Sequence, residues 1–461
     1  MLKCSVLAVV LATVALIAGL GAGPPTPEEK RMPNVVLITL DTLRADHLSC
    51  YGYERATSPR IDAFAREATR YTRSMATSPW TLPTHASLFT GKLPREHGAH
   101  TTKVGRRSPR ERPLSGHHVT LTEVLREAGY STGAFVTNIG YLAAKYGFNQ
   151  GFETYHVERV PARKLSGFAL TWLREHREKP FFLFLNYMDT HRPYAAQPAH
   201  AEVVGEAPGY DGGKLLTSLY SAVMPAKGPV PTELAAQVVK QYDTAIVNLD
   251  AGIGDLLDGL REQGLHDNTL IVLVSDHGEY FGEHHLVEHS KDVYQEALFV
   301  PLIIKDPGQR KGRVVETIVS STDVPRLMLD GFPRSWAERY HGLFTDVPGN
   351  HAVVSENYYT RGKDLRNKEW GHRFDRVRTV LFDWPLKYIR SSDGMHELYD
   401  IEADPLEARN LITVRAAEAG RLAQELRRLD VQRPPWKGGK TPPRMSEEER
   451  DRLRSLGYVG D

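Results

Sequence analysis

The stretch from Thr269 to His289, TLIVLVSDHGEYFGEHHLVEH, joins an unbroken apolar run to a cluster of acids and histidines. An apolar run without alternation, stopped by polar residues, marks a strand buried on both faces, as in a parallel sheet. Two other stretches repeat the pattern: VVLITLD, ending at Asp41, and FFLFLNYMD, ending at Asp189. Helix-like segments accompany them, namely SPRIDAFAREA, TLTEVLREAGY and the long TELAAQVVKQYDTAIVNLDAGIGDLLDGLREQG, with Gly129 and Gly264 as stops. This alternation predicts an α/β fold: a mixed, mainly parallel sheet flanked by helices, with ligands at the carboxyl ends of the strands. Asp41, His191 and Asp276 all fall at or just beyond such ends.

After VPLIIKDPG the texture changes. HAVVSEN, RTVLFDWPLKYIRSS and HELYDIEADP look like short antiparallel strands, and AAEAGRLAQELRRLD looks like a helix packed on them. The expected organisation is a leader or anchor over 1–23, a catalytic domain over 33–330, a smaller C-terminal α+β subdomain over 331–430, and a linker with a terminal helix over 431–461. The leader has Lys3 before a long apolar run and small residues, the pattern of an export signal; an uncleaved membrane anchor is the alternative. Either form places the chain outside the cytoplasm, in the periplasm or beyond. Beyond the leader only Cys50 remains, so no internal disulfide can form. The 58 Lys and Arg against 57 Asp and Glu leave no basic footprint for nucleic acid.

Asp276 and His277 leave a buried strand as neighbours, and Gly278 frees the backbone to turn. Oxygen and imidazole side by side suit zinc or manganese. Asp41 ends another buried run, where a carboxylate without a partner would be costly. A cation held by Asp41, Asp276, His277 and the Thr81 hydroxyl would remove that cost. Thr81 opens TLPTHASLFTG, in which Pro83 suits the first turn of a helix and His85 shares the face of Thr81. A bound metal would make the Thr81 hydroxyl a nucleophile near neutral pH.

These motifs together resemble the sulfatase branch of the alkaline phosphatase superfamily. NVVLITLDTLRADHLSCYGYERATSPRIDAFAREA is similar to its opening strand, metal aspartate and first helix. TLPTHASLFTGKLPREHG falls on its nucleophile motif, MDTHRPY on its histidine loop, and SDHGEYFGEH on its second metal segment. The resemblance implies an ester hydrolase or transferase with one divalent metal ion. Threonine in place of Cys or Ser excludes the formylglycine of sulfatases, and Thr42 stands where their second calcium aspartate is usual. Thr81, Asp41, Asp276 and His277 instead match the single-metal set of the phosphoethanolamine transferases in that superfamily, with zinc or manganese preferred. A true sulfatase would use calcium.

By the same resemblance, His191 and His289 are expected to be catalytic. His85, at the position of the motif arginine, is expected to orient Thr81 or bind the substrate anion. His284 and Lys291 are candidate substrate-binding residues. The expected substrate is a small-molecule, glycan or lipid ester of phosphate type. A sulfate ester turned over without formylglycine, or a catalytically silent relative, are the alternatives. The GKWH-like segment of sulfatases has no counterpart; GAFVTNIGYLAAK stands in its place.

Overall fold

The computed structural model describes residues 32–102, 110–194, 201–205, 211–334, 336–338, 344 and 353–438. The expected leader or anchor and the terminal helix lie outside the described residues. No helix among the described residues is long and apolar enough to cross a membrane.

Eight strands form the central sheet: β1 (Asn34–Leu40), β2 (Thr69–Tyr71), β3 (Ser131–Val136), β4 (Thr154–Val157), β5 (Phe181–Tyr187), β6 (Thr269–Ser275), β7 (Leu302–Lys305) and β8 (Arg313–Val315). Their spatial order is β8-β2-β7-β6-β1-β5-β3-β4. Only β7 runs against its neighbours, antiparallel to both β2 and β6; the remaining pairings are parallel. Helices cover both faces: α1 (Pro59–Ala65), α2 (Thr81–Thr90), α3 (Leu121–Glu127), α4 (Ala162–His176), α5 (Lys214–Val223) and the 31-residue α6 (Thr232–Glu262).

The central strand shows why its sequence does not alternate. Val35 and Leu37 point into the core shared with α2 and α3, while Val36, Ile38 and Leu40 point into the core shared with α4 and α6. Period-2 geometry on a sheet covered twice demands an apolar residue at every position. α6 lies along α4 closely enough that a Cβ on Gly252 would meet Ala162 Cβ at 2.4 Å. Gly129 and Gly264 both take left-handed φ, +90° and +69°, just past α3 and α6, as stop residues do.

A second sheet of β9 (Val353–Tyr358), β10 (Val377–Asp383), β11 (Leu386–Ser391) and β12 (Glu397–Asp400) is an antiparallel meander. Helix α7 (Ala416–Gln432) covers it with Leu422, Leu426 and Leu429. Buried Arg95, from the N-terminal part of the chain, donates its backbone N–H to Glu356 of β9 at 2.8 Å and its guanidinium to Glu356 and Asp430.

The site follows from register. Leu40 of β1 lies opposite Ser275 of β6 on one side and Tyr187 of β5 on the other. The next residues out of the sheet are therefore Asp41, Asp276 and the loop that carries His191.

Candidate active site

Asp41 is fully buried, and its Oδ2 accepts from Asn138 Nδ2 at 2.7 Å. Asp276 Oδ1 accepts from the backbone N–H of Thr42 at 3.2 Å and of His277 at 2.9 Å. The other oxygens, Asp41 Oδ1 and Asp276 Oδ2, are buried and receive no hydrogen bond. Burial, with Asp276 nearby, pushes Asp41 up to about 8; burial pushes Asp276 up to about 8 as well. His277 donates from Nδ1 to Gly278 O at 3.0 Å, which leaves the Nε2 lone pair available. Ligand atoms of Asp41, Asp276 and His277 all lie within 4.8 Å of one another.

Two buried oxygens without donors beside an imidazole lone pair are what a divalent cation satisfies. The residues fit the ion. Thr42 does not extend the set: its Oγ1 lies 2.6 Å from both Asp41 O and Thr190 O, and φ of 63° turns its N–H toward Asp276.

Thr81 is the first residue of α2, with Trp80 in the N-cap position. Its hydroxyl is buried and lies 3.4 Å from His277 Nε2. His85 is beneath it, one helical turn on. Nδ1 of His85 donates to Thr81 O at 2.9 Å, and Nε2 faces the Thr39 hydroxyl at 3.0 Å. Burial drives this imidazole down to about 3, so it is neutral. Both nitrogens are thus committed inside the protein. Through Nδ1 the ring holds the Thr81 turn.

His289 donates from Nδ1 to Glu279 at 3.0 Å, and its ring centroid is 4.6 Å from that of His277 and 5.2 Å from that of His191. His191 is turned by its Nδ1 contact with Arg192 O at 2.8 Å. Burial holds both His191 and His289 well below the usual histidine range. Glu288 and Ser290, on either side of His289, have φ of 64° and 66°. Such backbone is costly for non-glycine residues and persists where the surroundings enforce it. Here Arg192 and Arg361 both grip Glu288.

The two predicted substrate-binding residues are held by neighbours of their own. His284 stacks on Tyr294 at 3.8 Å and groups with Glu296 and Glu407, apart from the metal ligands. Lys291 is fully buried, its Nζ donating to His289 O at 3.3 Å and lying 3.5 Å from Glu288. These placements follow from backbone turns that spacing does not reveal.

The structure also recruits residues that spacing did not point to. Asn138 comes from the GAFVTNIGYLAAK segment and orients Asp41. Glu279 orients His289; its place three residues after Asp276 in a buried turn was the available signal. Arg361 is more than seventy residues from Glu288 and had no local signal.

The Sulfatase family model matches residues 33–332. The multifunctional alkaline phosphatase superfamily protein of Trinickia caryophylli is 26% identical over 82% of this chain and 91% of its own. An arylsulfatase of Clostridium perfringens is 24% identical over 82% of this chain and 90% of its own. Among solved structures, the phosphonate monoester hydrolase of Agrobacterium radiobacter superposes with a TM-score of 0.66 at 21% identity, covering 87% of this chain and 96% of that one. The match spans the central sheet and Asp41, Asp276 and His277 of the candidate metal cluster, and the chain belongs to the sulfatase family, a family of ester hydrolases within the alkaline phosphatase superfamily.

Proposed function

We propose that the protein is an exported, metal-dependent hydrolase of phosphate-type esters, phosphodiesters or phosphonate monoesters, with Thr81 as nucleophile. The observation that carries this is the buried Thr81 hydroxyl, 3.4 Å from His277 Nε2, at the start of α2 and beside two donor-less carboxylate oxygens. Asp41, Asp276 and His277 would hold one zinc or manganese ion, with Thr81 Oγ1 next to it. When bound, the ion supplies positive charge that lowers the hydroxyl pKa and offsets charge on the ester oxygens.

The remaining work falls to the chain. Thr81 Oγ1 forms a bond to phosphorus as the bond to the alcohol oxygen breaks; the hydroxyl proton passes to solvent water, and the departing alkoxide takes one proton in return. The start of α2 favours an anion held against it. His191 and His289 are neutral in the free protein; an anionic group beside them raises their pKa and makes them proton donors to the departing alcohol. Water then cleaves the phosphothreonine and regenerates the hydroxyl. A serine or cysteine could be oxidised to formylglycine at this position, whereas threonine cannot. The sulfatase relatives favour a second reading, in which the same site opens a sulfate ester. The leader supports the export part of this reading, and a fusion of residues 1–30 to a periplasmic reporter tests it.

The full protein, loaded with zinc, manganese or calcium, is assayed on an aryl phosphodiester, an aryl phosphonate monoester and an aryl sulfate. Turnover of the phosphorus esters is expected, with a phosphate-type adduct on Thr81 by mass spectrometry after brief exposure. Turnover of the sulfate alone would overturn the phosphate reading.

A further inference from the structure

Outward from His289 the fold gathers four cations that the metal cluster does not use. Arg192 lies in the loop after β5, Lys291 is two residues past His289, and Arg361 and Lys363 arrive just after β9 from the C-terminal half. They share two carboxylates, Glu288 and Asp364. Arg192 and Arg361 pair with Glu288, and Arg361 Nε reaches Asp364 at 3.2 Å. Lys291 Nζ lies 3.5 Å from Glu288 and 3.8 Å from Asp364. Tyr220 of α5 binds Asp364 through its hydroxyl, and its ring is 5.2 Å from Lys291 Nζ and 5.8 Å from Lys363 Nζ.

Lys363 completes no ion pair: among the described residues no carboxylate lies within salt-bridge distance of its ammonium. It is half-buried, so a ligand can reach it. Burial, with Arg361 close by, pushes its pKa down to about 6, so an anion placed beside it would restore its charge. Like charges crowded in partial burial repel one another, and an anion among them relieves the repulsion. The patch adjoins the reacting groups, because Lys291 Nζ donates to the His289 carbonyl and His289 stacks toward His277.

We infer that Lys363, with Arg361 and Arg192 behind it, forms a second anion subsite, which binds a carboxylate, sulfate or phosphate carried on the alcohol portion of the ester. The inference rests on the ester-hydrolase reading for where the reacting group lies. The preferred substrate is then an ester with two anionic groups, one transferred and one recognised.

Sulfonates test this without turnover. Benzenesulfonate and benzene-1,3-disulfonate are titrated calorimetrically into the full, metal-loaded protein. The disulfonate is expected to bind at least tenfold more tightly. Lys363→Gln should erase that gain, while Lys363→Arg should keep it, with thermal melting confirming that both variants fold. Equal affinities in the unaltered protein, no binding of either sulfonate, or a gain that survives Lys363→Gln would each overturn the subsite. If phosphorus esters go unhydrolysed while the disulfonate preference holds, the proposed chemistry fails and the subsite stands. If phosphorus esters are turned over but the preference is missing, the chemistry stands and the subsite fails.

Discussion

At the scale of single residues, the proposed nucleophile and its neighbours divide the labour by which atoms remain uncommitted. Thr81 offers its hydroxyl to the cluster while its carbonyl is held by His85. Thr81→Ala should lower kcat by at least about a thousandfold, as loss of a nucleophile does. Thr81→Ser should recover most of the rate, since the hydroxyl is restored without the methyl. Comparable turnover in the alanine variant would remove Thr81 from the mechanism. Asn138 acts one step further out. Its amide holds Asp41 Oδ2 at 2.7 Å, so Asn138→Ala leaves that oxygen without its donor. Loss of such an orienting partner costs about 10–100-fold in metal affinity. Competition titration against a chelating dye reads the change directly, and an unaltered Kd would show that Asp41 needs no help in orientation.

At the scale of elements, the candidate metal cluster depends on how the turn after β6 lies against the segment leading to β7. Gly278 N donates to Ala297 O at 2.9 Å and Glu279 N to Glu296 O at 3.1 Å, so the two backbones are in direct contact. A Cβ on Gly278 would meet Glu296 O at 1.9 Å, and a backbone carbonyl cannot swing aside as a side chain could. Gly278→Ala should therefore cost about 1–3 kcal/mol of stability. It should also weaken metal binding, because the displaced turn carries Asp276 and His277. A denaturant midpoint and a metal Kd equal to those of the parent protein would contradict this packing. The glycine was visible in the sequence as a source of freedom to turn. The contact that makes it obligatory was not, because Glu296 approaches only once β7 runs back antiparallel beside β6.

At the scale of the whole molecule, two buried carboxylates side by side make stability depend on metal and pH together. Asp41 and Asp276 ionise near 3.8 when exposed, and the metal-free fold holds both at about 8. Between these values the folded state binds more protons than the unfolded chain, so metal-free stability falls as pH rises through that window. A bound cation prefers the ionised pair and reverses the penalty. The thermal midpoint of chelated protein should thus drop between pH 5.5 and pH 8, while the gap between loaded and chelated protein widens. A gap that is constant across that range would mean that the pair does not titrate in it.

Much of the architecture was legible along the chain because burial on both faces leaves an unmistakable mark. The apolar runs ending at Asp41 and Asp276, the long helix before β6 and the glycine stops all follow from local physics. So does the neighbouring pair Asp276–His277, the candidate cation ligands, whose members are adjacent in sequence. The threonine at the start of α2, which shapes the proposed chemistry, is a matter of one residue. What only the tertiary structure decided is which atoms stay free and which are committed. His85 and Lys291 have chemically able side chains, yet their hydrogen bonds are spent inside the protein. His284 is drawn away to Glu296 by a left-handed turn. Asn138, Glu279, Arg361 and Lys363 gain their roles through contacts between distant segments. Spacing shows where a side chain starts, but register, burial and partners decide what it has left to offer.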